Sequence, residues 1–501
     1  MAYFVYPMNK TSRFIHSIGV MDIASDIFYN SLNNSNVKEE YLKYIEKKLE
    51  LESNFINEVN SFAREKYLKD EKIEINSKIV NQGIKNLIGK ELQNRFFFND
   101  NLSILILQAL RLYALFHDIG HLPFSHLGEY AILEFLKSQK ENKKINKLFK
   151  KLSPKPHEII GKKLVELIFN YLKENIKNKQ DISSLDISSL IVLEIIYKIY
   201  NKIESKEIIE LYKIVSSDLD ADRLDYTIRD GYASGIYYNS FDIDRVIKTF
   251  YLVKDQETFK ILPSIKALFD INRFYFDRFN LYKMVINHHK VKRFDFILQL
   301  SIEKILKKEF EDGMNCKDKI NIDKLIDMIC VIDELIDFKK SNIEEIKRLF
   351  FKFTQLTDFW LLNIIKQKVI ESIFENKNIE FELFNEILAG TKTIKSLYKR
   401  SFDFNKKFNE IDEKQILLLD NLKSIDNKVF IVKIKEANYP DELEIYDPKE
   451  DKIFKYIDIL QDFINTKKTA AFFIFYNSNE IEEEQIIKLI TDELKKEPAN
   501  V

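Results

Sequence analysis

Hydrophobic residues recur along most of this chain every three or four positions, the spacing that buries one face of an α-helix. Between residues 13 and 32, the apolar positions that would share a face are Ile15, Ile18, Ile23, Ile27 and Phe28. The same spacing predicts further helices over 37–69, 102–116, 127–139, 157–178, 190–215, 241–252, 264–310, 322–339, 343–376 and 380–389. The pattern therefore predicts a mainly α fold.

The spacing changes near residue 428. The segments predicted as strands are 429–434, 443–446 and 469–476, and those predicted as helices are 451–464 and 482–495. Strands that alternate with helices favour a small α+β lobe over 427–501. We expect this lobe to follow a helical core over 1–295 and a helical extension over 296–426.

Composition agrees with long helices and narrows the class of protein. Ten Gly and eight Pro are few for 501 residues, and sheet-rich folds need both in their turns. The 78 basic and 79 acidic residues argue against a protein that mainly coats nucleic acid. No secretory signal pattern or apolar run of about 20 residues is present. We expect a cytoplasmic protein without membrane contact.

The histidines carry the candidate chemistry. His117 and Asp118 follow the most apolar predicted helix, in the string FHDIGHLPFSH, and burying both is costly unless they are paired or bind a metal. Neighbouring helical residues point about 100° apart, so one ion can contact both. His16 and Asp222 would complete a four-ligand set that suits Fe, Mn, Zn or Co. Taken alone, each histidine is better explained as a satisfied core residue, and the acids near Asp222 fit a helix face or a capping region.

The order and flanks of these residues resemble the deoxynucleoside triphosphate triphosphohydrolases. This branch of the HD-domain metal-dependent phosphohydrolases includes bacterial dGTPases and the SAM- and HD-domain restriction factor. The matching strings are RFIHSIG from residue 13, FHDIGHLPFSH from 116, HE from 157 and DRLDYTIRD from 222. The resemblance covers roughly residues 3–295. It implies an HD-domain helical core that releases a deoxynucleoside and inorganic triphosphate by attack at the α-phosphorus.

The resemblance also implies roles for individual residues. The implied ligands of a divalent ion (Mn, Fe, Mg, Zn or Co) are His16, His117, Asp118 and Asp222. The implied catalytic group comprises His126 as acid/base, Glu129 as its orienting partner, and His121 and His157. The implied substrate contacts are Arg13, Arg223, Tyr226, Asp230 and Arg278. Arginine binds phosphate oxygens bidentately, and a tyrosine ring against C2′ would disfavour a ribose hydroxyl.

Three features depart from the family pattern. The Gln-Leu element that usually precedes the first motif has no counterpart here, so we expect it to be missing or supplied otherwise. His16 and His117 lie more than 100 residues apart, which predicts a helical insertion over about 35–95. This insertion would serve as a lid, an oligomer contact or a partner surface. Ile286 stands where the family has a tyrosine, so we expect a sugar or base contact to be lost.

Two other functions stay open at this point. An HD phosphodiesterase or nuclease acting on cyclic nucleotides, oligonucleotides or DNA ends would use the same ligands, and a nucleotide-sensing regulator would need no catalysis. The His126–Glu129 pair favours the triphosphohydrolase. The lysine-rich segment 137–155, expected to be a loop or frayed helix end, only mildly permits nucleic acid. The resemblance further implies a homo-oligomer regulated by a nucleotide activator.

Overall fold

A computed structural model describes most of the chain. The described residues are 5–49, 78–179, 183–201, 208–236, 241–313, 320–339, 343–374, 386, 394–397, 429–433, 440, 442–459, 472–477 and 481–496. The helices are α1 Arg13–Asn33, α2 Lys38–Leu49, α3 Lys78–Leu87, α4 Lys90–Arg95, α5 Asn101–Phe116, α6 His126–Ser138, α7 Lys143–Leu152, α8 Pro156–Lys177, α9 Ser184–Asn201, α10 Ile209–Lys213, α11 Ala221–Ala233, α12 Ile243–Lys248, α13 Leu268–Leu281, α14 His289–Glu311, α15 Leu325–Ile336, α16 Ile343–Thr354, α17 Asp358–Phe374, α18 Tyr456–Ile459 and α19 Glu483–Lys496. The mainly α fold is confirmed.

The strands form small antiparallel sheets. Their bounds are β1 Phe250–Asp255, β2 Thr258–Pro263, β3 Ile394–Ser396, β4 Val429–Lys433, β5 Glu444–Asp447, β6 Lys452–Lys455 and β7 Phe472–Asn477. β1 pairs with β2, β5 pairs with β6, and the third sheet has the order β3-β7-β4. The strands predicted near 429, 443 and 469 are therefore confirmed.

Two predicted helices are partly wrong. The helix predicted over 241–252 ends at Lys248, and β1 begins at Phe250. The helix predicted over 451–464 is replaced at its start by β6, which pairs with β5. Both errors fall on short apolar runs, where spacing alone does not distinguish helix from strand and cross-strand pairing decides.

Two predicted helices are also interrupted. The helix predicted over 264–310 is broken between α13 and α14 by a π-helical turn, Tyr282–Ile286. The helix predicted over 343–376 is divided at 355–357 into α16 and α17. The segment 50–77 of the predicted insertion and most of the helix predicted over 380–389 lie outside the described residues.

Two hydrophobic clusters organise the helices. The first includes Val20 and Ile27 of α1 and Leu105 and Leu110 of α5, and it extends through α9 and α11. The second, here called the rear cluster, joins α6 and α8 to α14, α15, α16 and α17. Strand β5 packs in the first cluster through Ile445, whereas β3, β7 and α19 contribute to the rear cluster. The predicted domain boundaries stay predictions.

Side-chain caps fix the start of the three helices that carry or directly precede the candidate metal ligands. Ser12 accepts a hydrogen bond from the N–H of Ile15 in α1, and Asp100 accepts one from Ser103 in α5. Asp220 accepts one from Arg223 in α11. Such a cap stabilises a helix by about 1 kcal/mol, so each ligand-bearing helix begins at a defined residue.

Among the described residues, none of the helices is both long and apolar enough to cross a membrane. The cytoplasmic location stays a prediction.

Burial of Glu210 on α10 predicts a pH-dependent stability. Glu210 is 3% exposed, its Oε1 has no hydrogen-bond partner, and burial raises its pKa from 4.5 to about 7. The folded protein therefore holds a proton that the unfolded chain loses between these values. We expect the free energy of unfolding to fall by about 3 kcal/mol as the pH rises through this window.

Glu210→Gln should remove this part of the pH dependence, as measured by urea unfolding at pH 5 and pH 8. Glu344→Gln is the matched control, because Glu344 is exposed and pairs only with Lys347 among the contacts of the described residues. Equal pH slopes for wild type and Glu210→Gln would contradict the assignment.

Candidate metal centre and active site

Two helices and the loop after α5 bring the four predicted metal ligands together: His16 lies on α1, Asp222 on α11, and His117 and Asp118 in the loop. His16 Nε2 lies 3.0 Å from Asp222 Oδ1, and His117 Nε2 lies 3.8 Å from the same oxygen. His117 Nε2 is also 3.4 Å from Asp118 Oδ1. His16, His117 and Asp222 therefore place their ligand atoms within 4.8 Å of one another although they are far apart in the sequence, and Asp118 adjoins this group through His117.

The far nitrogen of each imidazole is already occupied. His117 Nδ1 lies 2.7 Å from the Ala114 carbonyl oxygen, and His16 Nδ1 lies 2.7 Å from Asp225 Oδ2. Such partners fix the ring orientation and leave Nε2 to bind a metal. His117 Nε2 is buried without a hydrogen-bond partner, which costs about 1–3 kcal/mol. A divalent cation would satisfy this nitrogen, so the residues fit such an ion.

The charges of the ligand set also suit a cation. Burial lowers the pKa of His16, but hydrogen bonds to Asp222 and Asp225 outweigh it and raise the pKa to about 10. Burial would raise the pKa of Asp118, but the hydrogen bond with His121 and the charges of neighbouring groups hold this pKa well below its usual range. The carboxylates thus favour a positive charge here, and a bound metal would replace the His16 proton.

Asp225 and Arg229 are site residues that the sequence reasoning missed. Asp225 is 6% exposed and accepts hydrogen bonds from Arg229 Nε at 2.8 Å and Nη2 at 2.6 Å, in addition to its contact with His16. The sequence did contain a signal for this pair. An acid and an arginine four residues apart on a helix can form an ion pair, and Asp225 lies about one helical turn after Asp222. Gly19 on α1 makes room for the pair, since a Cβ there would lie 1.9 Å from Asp225 Oδ1.

The remaining histidines of this region surround one buried carboxylate. Glu129 is 2% exposed, and its Oε2 lies 2.8 Å from His157 Nδ1 and 3.4 Å from His126 Nδ1. Its Oε1 contacts His121 Nδ1. Burial would raise the pKa of Glu129, but hydrogen bonds to the three histidines hold it well below the usual range. The predicted Glu129–His126 pair is thus the longest of three such contacts.

The two groups of histidines are linked through Asp118. His121 Nε2 lies 3.3 Å from Asp118 Oδ1, while the rings of His121 and His157 stack at 4.3 Å. Of the three Glu129-bound rings, only His126 is largely exposed, at 60% of its side chain. An ionisable group that is both held by a carboxylate and open to solvent can exchange a proton with a bound molecule.

Three of the predicted ligands, His16, Asp118 and Asp222, line one cavity of about 330 Å³ together with His126. Its walls are formed by Thr11, Ser12, Arg13, His16, Asp118, His121, His126, Asp222, Tyr226, Arg229, Asp230, Tyr282 and Ile286. Arg13 contacts both Asp118 and Ser125. Burial raises the pKa of Asp230 to about 6. The predicted contacts Arg13, Tyr226 and Asp230 therefore share the cavity with the metal ligands.

Two arginines predicted to contact phosphate, Arg223 and Arg278, do not line this cavity. Arg223 donates to Asp218 Oδ1 at 2.9 Å, and it lines a separate cavity of about 280 Å³. Arg278 Nε donates to Tyr226 Oη at 2.7 Å, and its guanidinium lies over the Tyr282 ring. Arg278 therefore supports two cavity residues without lining the cavity itself. Direct phosphate contacts by these arginines stay predictions.

The loop between α5 and α6, residues 117–125, is here called the catalytic loop. Phe124 and Ser125 both have φ of 58°, a left-handed conformation that costs non-glycine residues about 1–3 kcal/mol each. Gly120 lies against α8, because a Cβ there would be 2.1 Å from the His157 carbonyl oxygen. This close approach brings His121 next to His157.

No family profile matches the chain. An uncharacterized protein of Mycoplasma genitalium is 25% identical over 342 residues, which cover 66% of this chain and 69% of the relative. An uncharacterized protein of Methanocaldococcus jannaschii is 24% identical, covering 55% of this chain and 50% of the relative. A protein of Acanthamoeba polyphaga mimivirus that is named for an HD domain is 25% identical, covering 62% of this chain and 54% of the relative.

Among solved structures, the chain is similar to a phosphohydrolase from Bacteroides thetaiotaomicron. The TM-score is 0.51 at 16% identity, covering 95% of this chain and 90% of that one. At this identity the likeness shows the fold. This likeness of fold agrees with the similarity to the mimivirus protein that is named for an HD domain. The chain spans about half to two thirds of the length of the relatives above.

Gly19→Ala tests whether Asp225 orients His16. The added Cβ would displace the Asp225 carboxylate and release His16 Nδ1. We expect Mn²⁺ affinity to fall by about 10–100-fold, the usual effect of losing a partner behind a metal-bound histidine. Calorimetric titration with Mn²⁺ measures this.

The matched control is Gly89→Ala, because nothing lies within 4 Å of a Cβ at that position. If a folded Gly19→Ala protein binds Mn²⁺ with wild-type affinity, the close packing at Gly19 is not needed to orient His16 for metal binding.

Proposed function

We propose that this chain is a metal-dependent HD-type hydrolase that converts deoxynucleoside triphosphates to deoxynucleosides and inorganic triphosphate. The proposal rests on one observation: the predicted metal ligands and the histidines bound to Glu129 are direct neighbours. The His16–His117–Asp118–Asp222 set lies directly beside histidines fixed by Glu129, with His121 and Asp118 3.3 Å apart. A metal set beside proton-transferring groups suits hydrolysis of phosphate esters.

The ligand set would hold Mn, Fe, Mg, Zn or Co. When bound, such an ion supplies Lewis acidity and makes water a better nucleophile at neutral pH. The names of the mimivirus HD-domain protein and of the Bacteroides phosphohydrolase support this class of chemistry.

The residues of the chain supply positioning and proton transfer in this proposal. His126 would donate a proton to the leaving oxygen of the nucleoside, with Glu129 holding the ring in place. Arg13 would bind phosphate oxygens next to the ligand Asp118. Tyr226 and Asp230 would contact the sugar from the α11 wall of the cavity.

The lysine-rich segment gives little support to a nucleic-acid substrate. Residues 143–152 form helix α7, with Ile145, Leu148 and Leu152 buried, so the expected loop or frayed end is wrong for this stretch. Three of its five lysines pair with acids of the extension: Lys144 with Asp333, and Lys147 and Lys151 with Asp337. These pairs reduce the positive field that a phosphate backbone would require.

Product analysis tests the proposed reaction. Purified protein with Mn²⁺ or Mg²⁺ should release deoxynucleoside and triphosphate from one or more of the four dNTPs, supplied singly and mixed. Activity only in mixtures would support the expected nucleotide activator. His126→Ala should lower the rate by about 100-fold or more, because a positioned acid/base contributes about that factor.

The control for His126→Ala is Lys137→Ala, an exposed change in the last turn of the same helix. If a metal-loaded wild-type protein consumes no dNTP but cleaves cyclic nucleotides or DNA ends, the alternative phosphodiesterase or nuclease function replaces this proposal.

Tyr226→Ala tests sugar recognition. If the ring packs against C2′, its removal should raise the ratio of rNTP to dNTP hydrolysis by about tenfold, the scale of a contact with one small group. Competition assays with paired rNTP and dNTP substrates measure this ratio.

Tyr232→Ala is the matched control, because Tyr232 lies on the same helix but is 73% exposed and lines a different cavity. An unchanged ratio in Tyr226→Ala would remove this tyrosine from the sugar site.

A further inference from the structure

One side chain of the helical extension reaches the catalytic loop. Asp358, the first residue of α17, accepts a hydrogen bond from the backbone N–H of Phe124, with a distance of 2.6 Å from N to Oδ1. These residues are 234 positions apart in the sequence. The contact therefore ties the extension directly to the loop that lies between the metal ligands and His126.

The catalytic loop presents different sides to the cavity and to the extension. His121 and the adjoining His126 line the cavity. Leu122 is 3% exposed and belongs to the rear cluster, and Phe124 packs against the same cluster. Leu356 and Leu361, which flank the start of α17, are also members of it. The start of α17 thus belongs to the packed layer behind the loop.

The Asp358 contact falls where the loop backbone is strained. Phe124 and the next residue, Ser125, both have φ of 58°. Ser125 contacts Arg13, and His126 follows immediately as the first residue of α6. A change in the Phe124 backbone would therefore shift Ser125 and His126 together. A carboxylate that accepts the Phe124 N–H opposes such a change.

Asp358 is not required to cap its own helix. The Oγ1 atom of Thr357 accepts a hydrogen bond from the Trp360 N–H at 3.1 Å, which is the capping contact of α17. The Trp360 indole nitrogen also donates to the Ile322 carbonyl oxygen at 2.7 Å, which fixes this end of the helix within the extension. The helix end that carries Asp358 is therefore anchored through its neighbours, and the exposed Asp358 carboxylate remains available to contact the loop.

We propose that Asp358 is a positioning residue for His126 and for the Ser125–Arg13 pair. The helical extension then sets the geometry of the reacting groups, in addition to packing against the core. The effect on turnover rests on the proposed function, whereas the effect on the loop does not. Small displacements of reacting groups reduce turnover strongly, so the contact matters beyond its own strength.

The test compares Asp358→Ala, which removes the acceptor, with Asp358→Asn, which keeps an oxygen at the same place. Glu344→Ala is the matched control, because Glu344 is an acid in the first turn of α16 and pairs with Lys347. We expect Asp358→Ala to lower kcat for dNTP hydrolysis by about tenfold with little change in KM, and Asp358→Asn to restore kcat to within about twofold. Mn²⁺ affinity should be unchanged in all variants.

Hydrogen exchange followed by mass spectrometry on peptides covering 117–127 provides a readout that needs no substrate. Exchange in this segment should be faster in Asp358→Ala than in wild type and in Glu344→Ala, while Asp358→Asn should resemble wild type. Wild-type exchange or wild-type kcat in Asp358→Ala, or failure of Asp358→Asn to restore either one, overturns the positioning role. If the wild-type protein hydrolyses no dNTP, the proposed function fails separately, and exchange alone decides whether Asp358 holds the loop.

Discussion

Every histidine of the cavity region is held through its Nδ1 atom, and the rest of the site depends on this constraint. Asp225 holds His16, the Ala114 carbonyl oxygen holds His117, and Glu129 holds His121, His126 and His157. An imidazole fixed in this way presents Nε2 in a defined direction. The two buried carboxylates and the Ala114 carbonyl oxygen therefore set the direction in which Nε2 of each ring points.

These carboxylates hold their positions because the backbone around them is closely packed. Gly19 lets α1 approach the Asp225–Arg229 pair, and Gly120 lets the catalytic loop approach α8 beside His157. At either position a Cβ would lie closer than 2.2 Å to an oxygen atom of the neighbouring element. Glycine is required at positions 19 and 120 for this close approach. The side-chain caps of α1, α5 and α11 in turn fix the residue at which each helix begins.

The sequence predicted features that depend on local residue spacing, such as most of the helices. It missed features that depend on contacts between elements distant in the sequence. Helical periodicity predicted α1, α5, α6 and α8 but not α11, and among the ligands expected from the HD-type motif, His16, His117 and Asp222 place their ligand atoms within 4.8 Å of one another. The β1–β2 hairpin was missed because a short apolar run suits either conformation. Asp225, Arg229 and Asp358 were missed because their roles arise only when separate elements come into contact. Arg223 was expected at the phosphates from the motif alone, yet in the folded chain Asp218 binds it.

The charges of the cavity indicate an order of binding. Its walls carry the acids Asp118, Asp222 and Asp230. Both arginines of the walls are already paired: Arg13 with Asp118, and Arg229 with Asp225, which is not a predicted ligand. A phosphate anion entering this cavity alone would meet carboxylates close to the paired arginines, which is unfavourable at short range. A divalent cation on the ligand set would neutralise Asp118 and Asp222 and leave Arg13 available to phosphate oxygens. Under the proposed function, this arrangement favours binding of the cation before binding of the substrate.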